Sequence, residues 1–177
     1  MIQSFVRLAH VDPGFDARRV LTFETTLPES KYGMPPALSG FYREVLERLR
    51  ALPGIEAAAT VTTLPTQFGP DFTFSISGRL GSRTSDESGD SQFRVISPDY
   101  FRVMRIPLLS GRYFTDADTE NLPGVVIINA TMARQSWPHQ NPLGQMIIIA
   151  KSMGPEWVDR PRQVVGVGGR RQRRFAQ

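Results

Sequence analysis

The alternation of apolar and polar positions divides the chain into a first third built around one long helix and a remainder of short strands. Residues 1–10, MIQSFVRLAH, set Ile2, Phe5, Val6 and Ala9 at helical spacing, and Pro13-Gly14 stops that pattern. From Val20 the run VLTFETTLP alternates Val20, Thr22 and Glu24 against Leu21, Phe23 and Thr25, which predicts a strand ended by Pro28. The clearest helix spans 36–52. Leu38, Phe41, Tyr42, Val45, Leu49 and Leu52 form its apolar stripe, and Arg43, Glu44, Glu47, Arg48 and Arg50 its wet face. Pro35-Pro36 opens it and Pro53-Gly54 closes it. IEAAATVTTLP then predicts a second strand with small residues that can pack closely on the helix. Residues 20–64 thus read as strand, helix, strand.

Further on, FTFSISG places Phe72, Phe74 and Ile76 on one strand face, and QFRVIS does the same with Phe93, Val95 and Ser97. The two are predicted to pair as a hairpin across the polar, Gly/Ser-rich loop 79–91. VVIIN predicts a buried strand and ATMARQSWP a short helix capped by Asn129 and stopped at Pro138. LGQMIIIA and RQVVGVG predict two more strands.

The stretch ISPDYFRVMRIPLLSGRYF, residues 96–114, has its own punctuation. Ser97 suits an N-cap, Pro98 the first helical position, and Asp99 the positive end of the helix dipole. A helix over 98–104 turns Phe101 and Met104 inward, Ile106-Pro107 blocks its continuation, and LLSG runs extended to a turn at Gly111. Thr115 and Asp118 form a T-x-x-D pattern like a capping box, and Arg112 is placed to pair with Asp116 or Asp118. Tyr100, Phe101 and Phe114 read as core aromatics.

Composition sets bounds on this picture. A chain of 177 residues, 40% apolar and 21% charged, is globular, and at this length about 70% of the extended surface is buried on folding. The absence of cysteine removes disulfides, thiolate metal sites and cysteine nucleophiles. The net charge of +4 resides in Arg170, Arg171, Arg173 and Arg174, because residues 1–169 hold 17 basic and 17 acidic side chains. A basic tail on a neutral body does not make a nucleic-acid face. No run of 18 apolar residues is present.

Catalytic patterns fail in turn. His10 and His139 are the two histidines, with no G-x-S-x-G elbow for a hydrolase and no H-E-x-x-H for zinc. VVGVGG has Arg171 where a dinucleotide loop needs glycine, and DADTE lacks the glycine and distal glutamate of a calcium loop. No catalytic, metal or cofactor residue is assigned.

Taken together and in order, VDPGFDARRVLTFE, FYREVLERLRALPGIEAAATVTTLP, FRVISPDYFRVMRIPLLSGRYFTDAD, VVIINATMARQSWP, NPLGQMIII and VVGV resemble the periplasmic core domain of MacB-like ABC transporter permeases. The likeness is greatest to the duplicated permeases of acidobacteria, and it covers residues 11–168. It implies an α+β domain on the periplasmic, extracytoplasmic face of the bacterial inner membrane, hung between transmembrane helices. Residues 1–10 would end a membrane-proximal stalk helix. Residues 20–64 would be the first porter-like βαβ segment, 72–160 an inserted mixed α/β subdomain, and 169–177 a basic divergent or truncated tail. The resemblance implies no reaction and no cofactor. A cytoplasmic ATPase subunit would hydrolyse ATP, while this domain transmits motion or contacts a periplasmic adaptor protein or cargo, the membrane being reached through flanking helices. The motif positions carried over are structural: Ser97, Pro98, Tyr100, Phe101, Pro107, Gly111, Arg112, Asn129, Trp137, Pro138, Pro142 and Gly144. In the family the pattern continues past VVGV into a further porter segment, whereas here GGRRQRRFAQ follows. Segment 20–52 is therefore expected to lack some of its neighbours. The rival reading is an independent ligand- or protein-binding α+β module with loop 79–91 as its contact surface. A hydrolase depending on His139 is a third.

Overall fold

RQVVGVG, the last of the predicted strands, is the axis of the molecule. The computed structural model describes residues 14–76, 88–118, 122–149 and 160–169. In chain order its elements are α1 (Glu29–Tyr32), α2 (Pro35–Arg50), β1 (Asp71–Ile76), β2 (Ser88–Gln92), α3 (Tyr100–Val103), β3 (Leu108–Gly111), β4 (Gly124–Asn129), α4 (Ala130–Ser136), β5 (Met146–Ile149) and β6 (Arg162–Gly168). The strands form one six-stranded sheet in the order β2-β1-β5-β6-β3, with β4 also paired to β6. β6 meets β5 near Arg162 and Gln163, meets β3 near Gly166 to Gly168, and runs parallel to β4 along its length. All other pairings are antiparallel. The fold is mixed α+β, with its one parallel contact made across the α4–β5 connection.

The core lies where the two most apolar strands face α4. Ile76, Ile128, Trp137, Ile147, Val164 and Val167 are buried together, with Met132, Ala133 and Leu143 packed against them. The predicted α4 cap is realised: Asn129 Oδ1 accepts the Met132 N–H at 2.7 Å. The helix then ends at Ser136, ahead of Pro138. Short apolar runs located these strands because most of their residues are wholly or partly buried.

The first third departs from expectation. Residues 20–27 carry no regular secondary structure, no sheet pairing is formed there among the described residues, and positions 21–26 are all exposed. Leu21 is 88% and Phe23 64% exposed. Alternation gave these residues strand character, yet a strand exists only where a neighbour accepts its backbone hydrogen bonds. Residues 55–64 likewise form a single antiparallel bridge, Val61 to Ile96, instead of a strand. The βαβ reading of 20–64 is thus reduced to its helix. Within α2 the buried residue is Leu46, outside the predicted stripe, while Leu38 and Leu52 stand exposed.

The hairpin is formed but displaced. β2 occupies Ser88–Gln92, inside the stretch read as loop, and 93–97 leave the sheet. The Phe93 N–H still reaches Pro70 O, after which Val95 and Ser97 turn their backbone bonds to Thr62 and Thr60. The 1–10 helix, most of loop 79–91, and the tail beyond 169 lie outside the described residues.

Two glycines with the same backbone conformation separate strain from crowding. At Gly111 (φ +82°) a Cβ would meet Val165 O at 2.2 Å and Gly166 Cα at 2.7 Å, whereas at Gly144 (φ +83°) the nearest atom is Gln163 Nε2 at 4.0 Å. Gly144→Ala is expected to cost about 1 kcal/mol, the left-handed penalty alone. Gly111→Ala should cost more than about 3 kcal/mol, because backbone must move as well. Urea unfolding of the two variants checks this, and equal losses would contradict it.

Candidate functional site

The predicted motif positions fall into two groups. Asn129, Trp137, Pro138, Pro142 and Gly144 surround the β4–α4–β5 connection. Trp137 is 2% exposed, and among the described residues its Nε1 has no hydrogen-bond partner. Pro142 is buried, and the Gly144 N–H donates to Val164 O at 2.8 Å. Trp137 belongs to the core, and Pro142 is buried beside it, while Asn129 and Gly144 shape the connection and are themselves exposed. Pro138 and His139 are exposed beside them, His139 at φ +64°.

The second group, Ser97 to Arg112, is where separate parts of the chain meet. α3 is only four residues long, too short to persist alone, so its neighbours hold it. Tyr100 is buried, which pushes its hydroxyl pKa up by desolvation. Phe101 makes edge or tilted ring contacts with Tyr100, Tyr113 and Phe114 at 5.5–6.4 Å. Its ring also covers Gly168, where a Cβ would come within 3.0 Å of Phe101 Cε1. Past the helix, the Arg112 N–H donates to Val165 O and the Gly169 N–H to Pro107 O, seating the 107–112 turn on β6.

Ser97 does not act as the N-cap. Its Oγ accepts the Thr60 N–H at 2.9 Å, and its own N–H donates to Thr60 O at 3.0 Å. Asp99 takes the cap position without capping through its side chain; its carboxylate instead pairs with Arg50 of α2 at 2.8 Å. At the other end, Asp16 N–H donates to Met104 O at 2.9 Å, while the Asp16 carboxylate accepts from Arg18 Nε and Nη2 and, at 3.3 Å, from Arg105. Those bonds, chiefly the Arg18 side chain, hold the Asp16 carboxyl well below the usual range. Arg94 adds a further tie, donating to Thr63 O at 3.1 Å. α3 is therefore gripped at both ends by the first third of the chain, with the sheet beneath it.

Asp16, Arg50, Thr60 and Arg94 were missed by sequence reasoning. Each acts at a distance of 30 to 90 residues along the chain, and no local spacing marks such a pair.

Arg112 meets the expectation drawn for it. Its Nη1 and Nη2 donate to the two oxygens of Asp118, both at 2.7 Å, and Asp118 also accepts from Thr115 N–H at 2.8 Å. The Asp118 N–H returns a bond to Thr115 O, closing the T-x-x-D turn. Among the described residues no three His, Cys, Asp or Glu side chains gather as a metal-binding group.

An open groove of about 650 Å³ lies between α3 and the turn, lined by Phe101, Ile106, Pro107, Tyr113 and Phe114, by Arg102 and Arg105, and by Pro98 and the carboxylate-bearing Asp99.

The family model for the MacB-like periplasmic core domain matches residues 2–176, and the chain belongs to that family. Its members are periplasmic domains of ABC transporter permeases. Over 63 residues the chain is 36% identical to a Pseudomonas syringae pv. tomato protein named "Probable syringafactin export ATP-binding/permease protein SyfD", a match over 35% of this chain and 9% of that one. The crystal structure of the periplasmic region of MacB from Actinobacillus actinomycetemcomitans aligns with a TM-score of 0.48 at 18% identity, covering 71% of this chain and 49% of that one. The extracellular domain of the noncanonic ABC-type transporter YknZ from Gram-positive bacteria aligns at 0.47 and 22%, covering 72% and 56%. The chain thus spans about half of these structures and under a tenth of the curated relative. Among the described residues, no helix is long and apolar enough to cross a membrane.

The Arg112–Asp118 pair yields a pH test. Arg112 first, and then the Thr115 bonds, lower the Asp118 pKa to about 2 from an ordinary 3.8, against an opposing push from desolvation. A carboxylate depressed on folding stabilises fully above its unfolded pKa and loses that effect as pH falls through the folded one. Asp118→Asn should therefore cost up to about 1 kcal/mol at pH 7, a drop of about 2–4 °C in Tm. The gap to wild type should close between pH 4 and pH 2. A gap unchanged at pH 2.5 would show that the ion pair is not its source.

Proposed function

We propose that this domain is a non-catalytic relay of an ABC permease. It passes conformational change between the membrane-side segments and the sheet, and it meets partner proteins on the extracytoplasmic side. The observation supporting this is the double grip on α3: Asp16 at its C-terminal end and Arg50 at its N-terminal end tie two separate early segments to one short helix seated on β6. A displacement of either segment is delivered to the sheet through that helix. The ATP-binding and permease roles printed for the Pseudomonas relative fit a parent in which ATP is hydrolysed by a cytoplasmic ATPase, with a periplasmic adaptor as a candidate partner.

The subdomain division belongs to the same proposal: 1–10 as the stalk end, 20–64 as the first porter-like segment, 72–160 as the insertion and 169–177 as the basic tail. Exposed Leu21, Phe23, Met34 and Ile55 within 20–64 support it, since a segment awaiting further chain leaves its apolar side uncovered.

The test is a charge swap in the full-length permease, reconstituted with its ATPase in proteoliposomes. Asp99→Arg should change the rate of ATP hydrolysis by about threefold or more, as expected for loss of a coupling worth about 1 kcal/mol, and Arg50→Asp with Asp99→Arg should restore it. Turnover insensitive to the single reversal would remove the relay reading.

A further inference from the structure

We propose that the groove between α3 and the 106–114 turn is a docking site for an extended, acidic segment of a partner protein, one carrying a leucine or aromatic residue between its carboxylates. The proposal rests on the partner-meeting half of the function proposed above and names the chemistry of that partner.

The floor supplies the apolar half of the match. Phe101, Ile106, Pro107, Tyr113 and Phe114 line a concavity within the size range of binding clefts. The floor is also rigid. Tyr113 Oη donates to Ile106 O at 3.2 Å and accepts from Leu108 N–H at 3.3 Å, so a ring that is 41% exposed is nonetheless held at its far end. A fixed, exposed aromatic offers contact area at little entropic cost on binding.

The rim supplies the charge. Arg102 is exposed, and among the described residues its guanidinium makes no hydrogen bond or ion pair. Arg105 touches Asp16 through one nitrogen at 3.3 Å, while Arg18 engages both Asp16 oxygens at 3.0 and 2.8 Å. The second carboxylate, Asp99, which lines the groove itself, is taken by Arg50 at 2.8 Å. The neighbouring acids are thus matched chiefly by Arg18 and Arg50, with Arg105 sharing Asp16, and Arg102 is left to be answered from outside. Arg105 is further held at φ +51°, where glycine would be at ease, at the position just past the end of α3. Strained non-glycine residues of this kind gather at ligand clamps.

The occupant follows from these two halves. A free inorganic anion would satisfy the arginines and leave the aromatic floor bare. A lipid surface presses on convex, protruding aromatics and would not fill a recess. A peptide segment lying across the groove satisfies both, its carboxylates on Arg102 and Arg105 and its apolar side chain against Phe101 and Tyr113.

The experiment uses the 177-residue chain and a fluorescein-labelled hexapeptide, Glu-Asp-Phe-Asp-Leu-Glu, read by fluorescence anisotropy, with amide shifts of 98–114 recorded in parallel. Saturable binding is expected, weakened about fivefold or more by Arg102→Glu and by Arg105→Gln, unchanged by Arg43→Glu on the exposed face of α2, and reduced by salt. It should survive replacement of Arg170, Arg171, Arg173 and Arg174 by glutamine. A peptide with Gln and Asn in place of its acids should bind about tenfold more weakly. The proposal is overturned by equal binding of the neutral peptide, by indifference to Arg102→Glu, by loss with the tail arginines, or by binding to phosphatidylglycerol vesicles alone. If peptide binding behaves as expected while the charge swap leaves ATP turnover untouched, the groove stands and the relay falls. The converse sinks the groove alone.

Discussion

The close approach of the 101–112 segment to β6 is the constraint on which the other features depend. Three glycines permit it. A Cβ at Gly166 would lie 2.7 Å from Arg112 O, one at Gly168 would press on Phe101, and one at Gly111 would strike Val165 O. With those positions bare, β3 pairs to β6, the 107–112 turn bonds to Val165 and Gly169, and Phe101 lies flat enough to gather Tyr113 and Phe114. The groove is the space left beside that seat, while the two ends of α3 are held by Arg50 and Asp16 from the first third of the chain.

The first third of the chain is attached in a different way. Its links to α3 and to residues 94–97 include backbone and side-chain hydrogen bonds and exposed or half-exposed ion pairs, beside the buried Leu46 and Ala58. Each such ion pair is worth about 0–1 kcal/mol in water. The sheet, by contrast, is closed over Trp137, Ile147 and Val164, which are nearly inaccessible to solvent. A well-packed body joined to a second segment by several weak, directional ties suits a part that must move under modest force without unfolding.

The sequence was informative wherever burial sorts residues by face. β4, β5 and β6 were legible as short apolar runs, and α4 and the T-x-x-D turn from cap chemistry that needs only a few residues. It misled at 20–27 and 55–64, where alternating residues looked like strands but, among the described residues, no partner strand pairs with them. Ser97 shows the same limit in reverse. Its residue type and the following proline were right for a cap, yet the Thr60 N–H, 37 residues away, claimed its hydroxyl. Asp16 with Arg105 was illegible for the same reason, since a contact spanning 89 residues leaves no trace in local spacing. The motif stretch could be recognised as architecture from sequence; what it holds together could not.

Native-state hydrogen exchange addresses the central claim most directly. The account has the 107–112 turn belonging to the sheet, so the amides of Arg112 and Gly169 should open with the same free energy as that of Val164. The Asp16 and Ser97 amides, which report the ties to the first third, should open earlier and at lower cost. If Arg112 and Gly169 instead exchange with Asp16 while Val164 stays protected, the turn is not seated on the strand, and neither the groove nor the relay has the support described.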